Sequence, residues 1–172
     1  MKGDEIVVID ANTEMLLFRF NNYKRTTFID EHLKVLNQYG FVWMLKVGKR
    51  SSLQKLYEIA QAGGWLVLRA PKADGSKSFL AKFIEVREET PTDMTFPAYY
   101  DEIISGNEVF SDGYADVTHQ WFKLTLLVNL NESDASKLIL SKTKRPIDEI
   151  IPTTRTAVMF IQNSEDISVK GV

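Results

Sequence analysis

The sequence predicts a single α+β domain. Its core is a mixed, mostly antiparallel twisted sheet or partly closed β-barrel, with three or four short helices flanking it. Three observations lead there. The 172 residues fit one domain, and 44% of them are hydrophobic, enough for a core. Short apolar runs with strand character outnumber helical patterns. Two of those runs are joined by a turn holding Asp74-Gly75, a strong hairpin signal.

The chain supplies the elements in order. EIVVI (5–9) and MLLFRF (15–20) read as strands with Asp10-Ala11-Asn12 turning between them, so residues 1–26 form an N-terminal strand region. Thr27 to Tyr39 reads as a helix, with Thr27 as N-cap, Ile29, Leu33, Val35 and Leu36 on its apolar face and Gly40 as its stop. His32 falls on that helix beside Glu31 and reads as a surface residue. FVWMLKV (41–47) is a strand. A second helix follows, with Ser51 and Gln54 at capping-box spacing and Gly63-Gly64 behind it. WLVLR (65–69) and FLAKFIEV (79–86) are hairpin partners around the polar turn 71–77.

Pro97 to Ile104 reads as a short helix and 108–120 as loop. QWFKLTLLVNL (120–130) has the clearest alternation. Phe122, Leu124, Leu126, Val128 and Leu130 fall on one face, and Trp121, Lys123, Thr125, Leu127 and Asn129 on the other. Ser133 caps a helix reaching Leu140, 147–151 makes one more helical turn, TAVMFI (156–161) is the last strand, and 163–172 is a polar tail.

Composition narrows the chemistry. With no cysteine there is no disulfide, thiolate metal site or cysteine nucleophile. The two histidines, His32 and His119, are far apart and lack a ligand at helical spacing, so no metal or other cofactor is expected. There is no P-loop, dinucleotide fingerprint or G-x-S-x-G elbow, and no catalytic residue is assigned. Asp101, Glu102, Asp112 and Asp116 form an acidic region suited to Mg²⁺ chemistry, ranked behind the binding readings below. The start MKGDEIVVIDANTE has no signal-peptide pattern, and no stretch is long and apolar enough for a membrane helix. The expected location is the cytoplasm.

The informative stretch is 42–87. It holds nine basic residues against three acids, a local balance of +6 in a chain of net charge -2. Aromatic rings are interleaved: Trp43, Tyr57, Trp65, Phe79 and Phe83. Cations neutralise phosphates and ring faces stack on bases, so this pairing suits nucleic acid. The expected binding residues are Trp43, Lys46, Lys49, Arg50, Trp65, Arg69, Lys72, Lys77, Lys82, Trp121 and Lys123. Strand parity pairs Arg69 with Trp65 and Lys123 with Trp121 as cation-and-ring couples. The competing reading is a non-catalytic homo-oligomer with the aromatic residues at its interface.

The run FVWMLKVGK, a helix, GGWLVLRAP, a D-G turn and FLAKFIEV resembles the EVE-type branch of the PUA-like superfamily over roughly residues 41–130, with QWFKLTLLV similar to a late core strand of those domains. The resemblance implies a small twisted β-barrel that recognises RNA or a modified base flipped into an aromatic pocket. Trp43, Lys46, Gly48 and Trp65 would line it, with Trp121 as a further wall. The first forty residues and residues 99–119 depart from that pattern.

Overall fold

The computed structural model describes residues 6–22, 27–47, 50–89, 91, 95–102 and 119–170. The strands are β1 (Ile6–Ile9), β2 (Met15–Arg19), β3 (Val42–Val47), β4 (Trp65–Arg69), β5 (Ser78–Arg87), β6 (His119–Leu130), β7 (Leu138–Leu140), β8 (Val158–Asn163) and β9 (Ile167–Lys170). Seven of them form one open sheet in the order β3-β6-β5-β4-β2-β8-β7, and β1 pairs with β9 in a separate two-stranded ribbon. Among the described residues every pairing is antiparallel except β2 with β4. The α+β class and the mixed sheet stand. The sheet does not close, so the barrel alternative is corrected.

Helices α1 (Phe28–Tyr39) and α2 (Leu53–Gln61) cover one face. Phe28, Ile29, Leu56 and Ile59 meet Leu16, Leu66, Val42 and Phe122 there in the largest core. The other face buries Met15, Leu17, Val67 and Leu80 against Ile9, Ile167 and Val169 of the ribbon. Ala135 of α3 (Glu132–Ala135) and Ile147 of α4 (Ile147–Ile150) join that second core.

Local chemistry places the ends. Thr27 makes no side-chain cap on α1; the Phe28 N–H donates to Asn22 Oδ1 at 2.9 Å instead. Gly40 ends α1 in the left-handed region (φ 82°), where a side chain would be strained. The cap of α2 is Ser52, one residue later than the predicted Ser51. Asn131, not Ser133, caps α3, which stops early so that Leu138–Leu140 can pair with β8 as an edge strand. The expected polar tail holds β9, because Ile167 and Val169 alternate inward onto the ribbon core. The predicted helix 97–104 is described only to residue 102.

β6 corrects the face assignment. Its pairing with β5 slips between Lys82 and Phe83 and again between Phe83 and Glu85. Phe122, Leu124 and Leu127 therefore face the helices, while Leu126 and Leu130 face the ribbon. An added residue in a ladder reverses the alternation beyond it, which strict parity cannot foresee. Ile84, in the slipped stretch of β5, is left 58% exposed.

Candidate anion-binding site

The one parallel pairing among the described residues creates the site. β2 and β4 run side by side in register, so Arg19 and Arg69 are neighbours at the carboxyl ends of their strands, about 5 Å apart across the ladder. Both strands bury apolar residues up to that point and end in arginine, MLLFR and WLVLR. The chain then leaves the sheet, and a cleft of about 580 Å³ opens beside the two arginines. Lys72 reaches it from the 3₁₀ turn Lys72–Asp74, and Arg155 from the loop after the 3₁₀ turn Ile151–Thr153. Among the described residues no acidic side chain lines this cleft.

Each arginine is held. Arg19 Nη1 donates to the carbonyls of Thr154 at 2.9 Å and Thr156 at 3.3 Å, fixing the loop that carries Arg155. Arg69 is 92% buried; its Nη1 donates to Ser78 Oγ at 2.8 Å and its Nη2 to Asp148 Oδ1 of α4. Its Nε–H is buried without a partner. The two guanidinium groups reach to opposite sides, Arg19 towards the loop before β8 and Arg69 towards β5 and α4, and carbonyl oxygens with one carboxylate offset their charge only in part. The excess favours a bound anion, and guanidinium suits the paired oxygens of a phosphate.

The eleven sequence-predicted residues do not form one surface. Arg69 is level with Ser78 and Leu130, whereas Lys46 pairs with Gln120. Ten residues of β6 separate these positions, roughly 33 Å at the rise of an extended strand. Arg69, Lys72 and Lys77 lie at the cleft end. Trp43, Lys46, Trp121 and Lys123 lie at the other end, and Trp65 with Lys82 sits between. Arg50 donates to the Glu88 carbonyl on the adjoining loop. Lys49, Gly48, Asp112 and Asp116 lie outside the described residues, as does the side chain of His119.

The tryptophans are not a stacking platform. Trp43 and Trp121 are fully buried and Trp65 is 4% exposed. Trp43 and Trp121 pack with Leu45, Phe96 and Tyr100 in a third core. The rings are covered by the protein's own cations: Lys82 lies 5.3 Å from the Trp65 ring centre, and Arg87 and Lys123 lie 5.2 and 5.8 Å from that of Trp43. The predicted couples Arg69–Trp65 and Lys123–Trp121 are corrected. Cross-strand neighbours, here Trp65 with Lys82 and Trp43 with Lys123, stand closer than residues two apart on one strand.

Lys46 is also buried. Its Nζ donates to Ser51 Oγ at 2.9 Å and Gln120 Oε1 at 3.2 Å, and burial lowers its pKa to about 8. Gln120 clasps the Ser51 backbone by N–H and carbonyl, both at 2.8 Å, so this cluster anchors the approach to α2. His32, expected on the surface, is fully buried. Its Nδ1–H donates to the Phe28 carbonyl at 2.7 Å, and its Nε2 accepts from the Tyr100 hydroxyl at 2.6 Å. The Tyr100 oxygen accepts in turn from the Leu45 N–H at 3.2 Å. Trp43 N–H donates to the Thr95 carbonyl at 2.9 Å, so residues 95–100 cover the open edge of β3.

Sequence reasoning missed Arg19 and Arg155. The signal for Arg19 was an arginine near the end of the apolar run MLLFRF, matching the one that closes WLVLR; it becomes meaningful only once those strands are known to be parallel. No group of three or more His, Asp or Glu among the described residues is placed to hold a metal ion. No helix among them is long and apolar enough to cross a membrane. No family model matches the chain, and no curated protein or solved structure does either.

Proposed function

We propose that the chain is a nucleic-acid-binding domain that grips backbone phosphates in the Arg19–Arg69 cleft. The observation that carries this reading is a cleft lined by Arg19, Arg69, Lys72 and Arg155 without an acidic side chain, on a chain of net charge -2. Lys77 at the same end extends the positive field along the β4–β5 turn. Backbone contacts of this kind give affinity without reading sequence. The resemblance of residues 41–130 to EVE-type domains points to RNA or a modified base. With the tryptophans buried, base recognition through them has no support, and the phosphate contacts carry the reading.

The test is fluorescence anisotropy with labelled 12-nucleotide single- and double-stranded RNA and DNA between 50 and 200 mM salt. Lys72→Ala with Arg155→Ala removes two exposed phosphate contacts. The double variant is expected to weaken binding about 10-fold or more at low salt and to flatten the log–log salt slope by about 2. Absence of binding at 50 mM salt, or a slope unmoved by the double variant, overturns the proposal.

A second reading, self-association, has its own observation. Leu53 and Tyr57 stand 54% and 61% exposed one turn apart on α2, and Ile6 and Val8 are exposed on β1. Light scattering decides it: an oligomer supports this reading, a strict monomer removes it, and either result is compatible with phosphate binding.

A further inference from the structure

Arg69 belongs to two cavities. One is the basic cleft; the other, of about 540 Å³, is lined by Asp148, Glu132, Lys77 and Asn131 among others. Its guanidinium offers three positions, used unequally. Nη1 is fixed by Ser78, which holds the plane of the group. On the opposite edge, Nε and Nη2 point in parallel, the geometry that matches two oxygens of one anion. Asp148 fills half of it: one oxygen takes Nη2, and Nε–H is buried with no acceptor. A buried donor left unsatisfied is costly and uncommon. The Asp148 side chain is itself 57% exposed, so its carboxylate has water to turn into when another anion takes its place on Arg69.

We propose that Asp148, which lines the second cavity, is an internal competitor for the Arg69 that both cavities share, displaced when a ligand phosphate takes the Nε/Nη2 edge of Arg69 with two oxygens. In the free protein Asp148 neutralises a buried cation and keeps it in place. In the complex the carboxylate swings into water, and Nε gains the acceptor it lacks. This rests on the phosphate reading above and names how that site is regulated: weak anions fail to displace Asp148, and only a ligand with two well-placed oxygens does.

Two charge-matched variants test it. Asp148→Asn and Glu149→Gln each remove one negative charge from α4, and Glu149 faces Arg145 instead, at 3.7 Å. With a labelled single-stranded 12-mer at 100 mM salt, Asp148→Asn is expected to bind at least 5-fold tighter than wild type, and Glu149→Gln within twofold of it. Equal tightening by both reduces the effect to net charge and overturns the proposal, as does weaker or unchanged binding by folded Asp148→Asn. If wild type and both variants bind neither the oligonucleotide nor inorganic phosphate, the phosphate reading itself fails. A second readout needs no Asp148 variant. The Arg69 Nε–H resonance of wild type, assigned by its loss in Arg69→Lys, shifts saturably as oligonucleotide is added. A resonance unmoved at saturation overturns the proposal even where Asp148→Asn does not fold.

Discussion

At the scale of single residues, burial turns two ordinary titratable groups into structural ones. His32 is neutral because desolvation drives its pKa from 6.5 to about 4, with the Phe28 carbonyl opposing weakly. The Phe28 carbonyl can only accept, which fixes the proton on Nδ1 and makes Nε2 the acceptor for Tyr100. Burial holds the Tyr100 hydroxyl well above its usual pKa, so it remains a donor. The unfolded chain takes up the His32 proton at higher pH than the folded one. This group's contribution is therefore intact above pH 6.5 and is lost as pH falls towards 4. The expected loss is about 2.4 kcal/mol between pH 7 and 4.5. Urea midpoints of wild type and His32→Asn at those two pH values check it: the gap in stability between the proteins narrows by that amount on acidification. A constant gap contradicts the assignment. Lys46 has a lowered pKa as well, so its charged form is penalised in the fold; stability from this group rises as pH goes from about 8 to 10.5.

At the scale of elements, two glycines with similar backbones separate conformational strain from close approach. Gly40 ends α1 at φ 82° and faces open space. Gly64 sits at φ 74° where α2 gives way to β4, and a Cβ there would lie 2.4 Å from the Phe83 carbonyl oxygen. That carbonyl belongs to the slipped stretch of β5, and the Phe83 N–H donates to the Gly64 carbonyl at 2.9 Å. Backbone has nowhere to retreat. Gly40→Ala is expected to cost about 1 kcal/mol and Gly64→Ala about 3 kcal/mol, with strain and clash combined. Paired thermal melts measure the difference, and equal losses would show that the close approach is relieved. The same stretch marks where the sequence was legible and where it stopped being so. Apolar periodicity located α1, α2, β3, β4 and β5, because each buries its own pattern. It failed at β6, since a ladder slip is set by the partner strand and leaves no mark in the alternation of QWFKLTLLVNL. It failed again at β7 and β9, whose few residues earn their strand state only by pairing.

At the scale of the whole molecule, the charge pattern read along the chain is divided by the topology. A balance of +6 over residues 42–87 looked like one surface because nearness in sequence stood in for nearness in space. β4 and β5 instead carry Arg69, Lys72 and Lys77 to one end of the sheet, where β2 and the loop before β8 add Arg19 and Arg155. β3 and β6 carry Trp43, Lys46, Trp121 and Lys123 to the other end. There the cations are occupied: Lys123 lies 4.2 Å from the Phe41 ring centre, Lys46 is buried, and Arg87 pairs with Glu85. A cation that already covers a ring or meets a carboxylate has little left to give a phosphate, whereas Lys72 and Arg155 are exposed beside a cleft without acids. Two surfaces of equal formal charge should thus differ in function. Lys123→Ala combined with Arg87→Ala is expected to leave oligonucleotide affinity within about twofold and the salt slope within 0.5 of wild type, although it removes the same charge as Lys72→Ala with Arg155→Ala, which lowers that slope by about 2. Anisotropy titrations of the two double variants from 50 to 200 mM salt measure this directly. Matching losses would mean that the ligand responds to the net field of the protein and not to the cleft built where two parallel strands both end in arginine.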